Sequence, residues 1–353
     1  MAEFHTLTVT AAEPEGGDAV CLTFDVPPGL AETFRFTPGQ YLTLRADLDG
    51  QDLRRPYSIC SAPGAPLQVG VRHVADGRFS PWACGLKPGD RIEVMPPEGR
   101  FVAETGGPHR YLLIAAGSGI TPMMSIAEAV LDGHPEAEIT LVYGNRETAS
   151  IMFLTRLSDL KDRCLGRFQA IHILSREPQD VDLLHGRIDA KRLRALTDAG
   201  LIDPVGADGI FLCGPGTMTD MAEMELGMMG VSRDRVHFER FIPADGALVR
   251  PPSAKAEAAT GATVETILDG QRRVYTHESA GDSVLDAARE HGIDLPFSCA
   301  GGMCCTCRCR IVEGTAEMAV NYSLEPWEIE AGFTLACQAR PTADRLVLDF
   351  DAV

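Results

Sequence analysis

Four cysteines near the C-terminus limit what this chain can fold into more than any other feature. Four residues separate Cys299 from Cys304, two separate Cys304 from Cys307, and twenty-nine separate Cys307 from Cys337. The pattern C-x4-C-x2-C with a distant fourth cysteine is the spacing that holds a plant-type [2Fe–2S] cluster. The intervening Ala300-Gly301-Gly302 suits a loop that must bring backbone N–H groups close to anionic sulfur, because glycine allows both the approach and unusual φ angles. A four-cysteine zinc site, a disulfide pair and buried structural thiols are the competing readings. Zinc ribbons favour two C-x2-C knuckles over a glycine loop of this length, so the cluster is preferred.

A length of 353 residues implies two or three domains, each able to bury its own core. Hydrophobic content of 45% with 23% charged residues describes an ordinary globular protein. Met1-Ala2-Glu3-Phe4-His5 lacks a basic region followed by an apolar run, so no signal peptide is expected. The uncharged stretch from Tyr111 to Ala127 is broken by Gly117-Ser118-Gly119 and Thr121-Pro122, which argues against a membrane span. Of the eleven cysteines, five fall between Cys299 and Cys309, a distribution expected of a metallocluster in a reducing cytoplasm rather than a disulfide scaffold. A net charge of −18 disfavours nucleic acid as a partner. From Thr263 onward, 15 acidic residues face 7 basic ones, which fits either a solvated surface or an electrostatic docking face.

Three segments emerge. Residues 1–106 are strand-rich, with runs at Tyr41–Leu44, Leu67–Val71 and Arg91–Val94 between Pro-Gly turns, as in a small antiparallel β-barrel. Residues 107–245 alternate strand and helix. Strands are predicted at Tyr111–Ala116, Ile139–Tyr143, Phe168–Leu174, Gly209–Cys213 and Val236–Phe241, and helices at Pro122–Leu131, Phe153–Leu165, Ala190–Ala199 and Thr217–Met229. That alternation implies a doubly wound parallel sheet. Residues 246–262 read as a linker, and Met218–Met229 as the apolar face of a helix. Residues 263–353 open with a hairpin at Asp269-Gly270, then a helix capped near Ser283 and stopped by Gly292. The cluster loop follows, with strands at Arg308–Val312 and Leu346–Phe350.

In the second segment a strand runs into Gly117-Ser118-Gly119-Ile120-Thr121-Pro122 and then a helix. Such a turn offers free N–H donors to a pyrophosphate, although Pro122 replaces the third glycine of the dinucleotide fingerprint and a ligand-free turn is the alternative. The third strand ends at Ser175-Arg176, a hydroxyl beside a guanidinium that can bind a ribose 2′-phosphate or be a solvated loop pair. Cys213-Gly214-Pro215 ends the fourth strand over the same crevice. A nicotinamide contact is the preferred reading for Cys213 over a small buried hydrophobe. In the barrel, Arg55, Tyr57 and Ser58 would together supply a diphosphate ligand, a stacking ring and a hydroxyl beside a flavin's redox nitrogen, although singly Tyr57 reads as core packing and Arg55 as a surface charge. Cys305 and Cys309 alternate with Cys307 and are read as packing nearby without ligating iron.

Arg55-x-Tyr57-Ser58, Gly77-x-x-Ser80, Gly117-x-Gly119-x-x-Pro122 and Cys213-Gly214-Pro215 occur in the order typical of the ferredoxin–NADP reductase superfamily. With its C-terminal plant-type ferredoxin segment, a β-grasp domain in that family, the chain resembles an oxygenase reductase. Phe4-His5-x-Leu7-Thr8-Val9, Leu184-His185-Gly186-Arg187-Ile188-Asp189 and Asn321-Tyr322-Ser323-Leu324-Glu325-Pro326 narrow the resemblance to the reductases of phenylacetyl-CoA epoxidases. The resemblance implies FAD, NADPH and one [2Fe–2S] cluster, with a di-iron oxygenase component as partner. It also implies roles: Arg55 on flavin phosphate, Tyr57 on the isoalloxazine or ribityl chain, and Ser58 at the flavin's redox nitrogen. Gly77 and Ser80 would close on the diphosphate, and Gly117, Gly119, Cys213 and Gly214 would line the NADPH channel. A reductase serving a Rieske or steroid hydroxylase, or a non-enzymatic redox-sensing module that merely binds nucleotides, are the alternatives.

Overall fold

Residues 5–94 wind six antiparallel strands into a sheet that closes on itself. In the computed structural model, which describes residues 3–240 and 250–352, these are β1 (His5–Glu15), β2 (Ala19–Asp25), β3 (Tyr41–Leu48), β4 (Gln51–Ser58), β5 (Leu67–Arg72) and β6 (Arg91–Val94). Their order is β4-β3-β6-β1-β2-β5, and an Ile59–Val69 bridge joins the two edges. Closure removes the exposed edges that would otherwise invite aggregation. The alternation that builds the strands also fills the barrel: Leu7 and Val9 point inward while Thr6 and Thr10 point out. A short helix, α1 (Phe79–Ala83), follows β5.

Five parallel strands come next: β7 (Arg110–Ala116), β8 (Glu138–Asn145), β9 (Phe168–Leu174), β10 (Gly209–Gly214) and β11 (Val236–Arg240). Helices α2 (Ile120–Gly133), α3 (Leu154–Arg163), α4 (Ala190–Asp198) and α5 (Gly216–Met228) connect them. The order β11-β10-β7-β8-β9 means that the chain builds outward from β7, then returns to add β10 on its other side. Loops leaving β7 and β10 therefore diverge and open a crevice at the carboxyl ends of those strands, where ligands bind in sheets of this kind. Every strand and helix expected here from the sequence forms, with ends shifted by a few residues; Phe241, expected to end the last strand, lies outside the described residues. The expectation for the Met218–Met229 run is corrected. Met218 and Leu226 are buried, but Met221, Met224 and Met228 lie at helical spacing on the solvent side of α5.

The C-terminal region folds as α6 (Ala254–Ala258), β12 (Ala262–Leu268), β13 (Gln271–His277), α7 (Val284–Glu290), β14 (Arg308–Glu313), β15 (Ala316–Met318), α8 (Pro326–Glu330), β16 (Phe333–Leu335), β17 (Ala339–Pro341) and β18 (Arg345–Asp349). The main sheet runs β13-β12-β18-β14-β16, with β12 and β18 parallel and the other pairs antiparallel. The apolar side of α7, Val284, Leu285, Ala287 and Ala288, belongs to the core formed with Val264, Leu346 and Leu348, the arrangement of a β-grasp domain. Both turn residues of the β12–β13 hairpin have positive φ, 52° at Asp269 and 70° at Gly270, as a two-residue primed turn demands. Part of the expected linker is ordered: Ser253 caps α6 and its backbone N–H donates to Glu317. Residues 246–249 of that linker lie outside the described residues. By packing, the chain separates into two units, one holding the barrel and the parallel sheet and the other the C-terminal domain.

Candidate functional site

The crevice is assembled by close backbone approach. Gly117 adopts a φ of +56° where β7 turns toward α2, and the Tyr143 hydroxyl donates to its carbonyl at 2.9 Å. A Cβ on Gly119 would lie 2.1 Å from the Cys213 carbonyl oxygen, so only glycine lets the two strand ends meet. Pro122 is buried in the first turn of α2, where its missing N–H costs no helical bond. Gly117, Gly119, Pro122, Cys213 and Gly214 therefore share one place at the start of a fourteen-residue helix. Asn145, at the end of β8, is buried and neither atom of its amide has a well-formed hydrogen bond among the described residues. A tight glycine cradle beside a buried amide that lacks a well-formed hydrogen bond fits a nucleotide. Ser175 and Arg176 stand at the neighbouring strand end, their N–H groups donating to the carbonyls of Asn145 and Arg146. Arg176 is exposed and Ser175 half-buried.

Ser58 ends β4 and faces the same crevice. Its hydroxyl donates to Glu239 Oε2 at 2.9 Å, and Cys213 Sγ lies 3.9 Å from that same oxygen. Parallel register makes this meeting obligatory, because Glu239 sits directly beside Cys213 in the β10–β11 pair. Part of the Glu239 residue is open to solvent, but its carboxyl end is enclosed, and burial pushes its pKa up to about 7 against the pull of the two hydrogen bonds. The Cys213 thiol is driven well above its ordinary value by burial and by the adjacent carboxylate, so it remains a neutral SH. Glu239 is absent from the residues that the sequence singled out. Its strand, Val236–Arg240, also carries His237 and Arg240, so an acidic residue there gave no distinct signal.

Of the flavin-side residues, Tyr57, Gly77 and Ser80 lie together in the barrel. The Tyr57 ring lies 6.0 Å from that of Phe79. Ser80 begins α1, accepts a hydrogen bond from the Val74 backbone, and lies 3.2 Å from where a Cβ on Gly77 would be. Arg55 sits on β4 next to these groups in sequence.

In the C-terminal domain the four cysteines form two pairs. Cys304 hydrogen-bonds to Cys299, holding the Cys299 thiol down at about 7, while Cys307 and Cys337 are similarly joined. Two pairs suit two irons, each taking two thiolates. Backbone N–H groups point at sulfur from Gly301 to Cys299 (3.3 Å) and from Cys299 to Cys304 (3.5 Å). This donor set fits an anionic cluster. The left-handed residues of the loop are Ala300, Gly302 and Cys305, at φ of 50°, 76° and 60°; Gly301 contributes its amide instead. Two non-glycine residues held there cost about 1–2 kcal/mol each. Cys305 hydrogen-bonds to the Ser323 hydroxyl and Cys309 to the Thr334 carbonyl.

Family models match in the same order as these sites. An oxidoreductase FAD-binding domain covers residues 6–102, an oxidoreductase NAD-binding domain residues 113–224, and a 2Fe-2S iron-sulfur cluster binding domain residues 266–342. The chain is 45% identical to one of the polypeptides of the 1,2-phenylacetyl-CoA epoxidase of Escherichia coli K12, over 100% of this chain and 99% of that protein. It is 36% identical to the ferredoxin reductase component of 3-ketosteroid-9-alpha-monooxygenase from Rhodococcus rhodochrous, over 98% of this chain and 96% of its relative. Phthalate dioxygenase reductase shares the fold, with a TM-score of 0.60 at 22% identity and 98% coverage of both chains. No helix among the described residues is long and apolar enough to cross a membrane. The chain belongs to the ferredoxin–NADP reductase-like oxygenase reductases, flavin- and nicotinamide-dependent electron-transfer enzymes that carry a C-terminal [2Fe–2S] domain.

Proposed function

We propose that this chain is the reductase of a phenylacetyl-CoA epoxidase, drawing electrons from NADPH and passing them to a di-iron oxygenase component. Support for that partner is the 45% identity to the Escherichia coli epoxidase polypeptide along the whole chain, against 36% for the steroid monooxygenase reductase. Support for NADPH over NADH is the hydroxyl–guanidinium pair Ser175-Arg176 at the strand end beside Asn145. The domains run 1–106 for FAD, 107–245 for NADPH, 246–262 as a linker and 263–353 for the cluster. Eleven cysteines, none joined in a disulfide among the described residues, favour a cytoplasmic location.

When bound, FAD supplies conversion of a two-electron donor into single electrons for the cluster. The chain's own residues do the rest. Arg55, Gly77 and Ser80 hold the flavin diphosphate, and Tyr57 covers the ring system. Gly117, Gly119 and Pro122 shape the nucleotide cradle, while Cys213 and Gly214 wall the nicotinamide end. Cys213, neutral and buried, excludes water from that wall. Ser58, whose hydroxyl donates to Glu239, would take up the proton that the reduced flavin sheds as its electrons leave and pass its own to Glu239, whose carboxyl can both hold and release one near neutral pH. Cys299 and Cys304 hold one iron, Cys307 and Cys337 the other.

The observation that carries this reading is Glu239 Oε2, which joins the barrel's Ser58 to the Cys213 of the nucleotide domain. Reconstitution with candidate oxygenase components tests the partner: NADPH consumption coupled to epoxide formation only with the di-iron component is expected. Coupling only to a steroid or Rieske hydroxylase would overturn it.

A further inference from the structure

Gln338 follows Cys337, and its side chain is buried. Its Nε2 lies 3.2 Å from the Ala300 carbonyl and 3.6 Å from Cys337 Sγ. A primary amide carries two N–H donors, so one can hold the loop carbonyl while the second faces sulfur. Around Cys299 and Cys304 the donors are backbone amides, which every substitution except proline preserves, together with the Thr306 side chain on Cys304. Around Cys337 the donor is a side chain that one substitution removes.

An N–H aimed at a thiolate stabilises whichever state holds more negative charge there, and it does so strongly where water is excluded. Adding an electron to a [2Fe–2S] centre raises the charge on its sulfur ligands, and hydrogen bonds to those sulfurs set the potential. We propose that Gln338 is a positioning residue that tunes this centre: it fixes the Ala300 turn and donates a hydrogen bond to the Cys337 thiolate, favouring the reduced cluster. The inference rests on the reading of Cys337 as an iron ligand.

Gln338→Met keeps the length of the side chain and removes both donors. Dye-mediated titration of the holoenzyme, followed by EPR of the reduced cluster, should show reduction about tenfold less favourable, equivalent to a midpoint about 59 mV lower. The flavin midpoints should not move. A second measurement needs no variant: wild-type protein grown on glutamine labelled with 15N at the side-chain amide should show a 15N coupling in pulsed EPR of the reduced cluster. An unshifted midpoint in a fully loaded Gln338→Met protein, or an absent coupling in the labelled wild type, overturns the role of Gln338 alone. If the variant does not retain its cluster, the labelled wild type decides. A reconstituted wild type with no reduced-cluster signal overturns the iron-ligand assignment and the proposal with it.

Discussion

The Ser58–Cys213–Glu239 crevice and the Cys299–Cys307 loop both bury polar atoms, yet they handle charge in opposite ways. In the crevice a carboxyl with a pKa of about 7 accepts from a hydroxyl and a neutral thiol, so a proton can be stored or released there. Around the loop, N–H groups converge on sulfur, and these donors cannot accept a proton from a bound cluster. Hydride delivery leaves a hydrogen on the flavin that must depart as a proton once the electrons have moved on, whereas the cluster takes its electron without one. The difference between the two regions is the difference between those two tasks.

The sharpest way to break this contrast is to remove the loop's thiols while sparing the crevice. Cys307→Ala should abolish acid-labile sulfide and lower NADPH-driven cytochrome c reduction by at least about a hundredfold, while ferricyanide reduction through the flavin persists. Equal loss of both would contradict the division of labour. Next in size, Glu239→Gln should slow electron transfer from the reduced flavin to the cluster by about a hundredfold, the low end of general acid–base effects, and flatten its pH dependence near 7. The sign for stability follows from the same shift. The folded carboxyl keeps its proton up to about 7, whereas the unfolded one loses it near the ordinary value of 4.5. Between those values the folded state holds more protons, so wild-type stability declines as pH rises through that window. Denaturant midpoints for Glu239→Gln should lack that decline.

Gly119→Ala forces a methyl into the Cys213 carbonyl. The overlap is with backbone, so the strand ends must separate, at a cost of about 1–3 kcal/mol. KM for NADPH should rise roughly tenfold, with little change in the cluster's EPR signal. Smallest of all, Arg176→Ala should raise KM for NADPH several-fold and leave KM for NADH unchanged, because only the 2′-phosphate loses its partner.

The contrast also marks what the sequence could reveal. Cysteine spacing and the order of the Arg-x-Tyr-Ser, glycine-turn and Cys-Gly-Pro segments are local patterns, and each folds where local rules put it. Glu239 was illegible because its meaning comes from lying beside Cys213 across the β10–β11 register, twenty-six positions away in the chain. Gln338 was illegible for a similar reason: its loop partner, Ala300, is thirty-eight positions earlier. The α5 methionines misled because composition cannot say which side of an apolar helix finds a partner. Met224, 60% exposed, stays on the solvent side of its own sheet layer.

An anaerobic titration of the cofactor-loaded protein with NADPH tests the central claim most directly. Flavin absorbance should bleach and the EPR signal of a reduced [2Fe–2S] cluster should grow, in step with it in wild type and on a slower course in Glu239→Gln. Bleached flavin beside a cluster that stays oxidised in wild type, or an unchanged rate of cluster reduction in Glu239→Gln, would contradict the account.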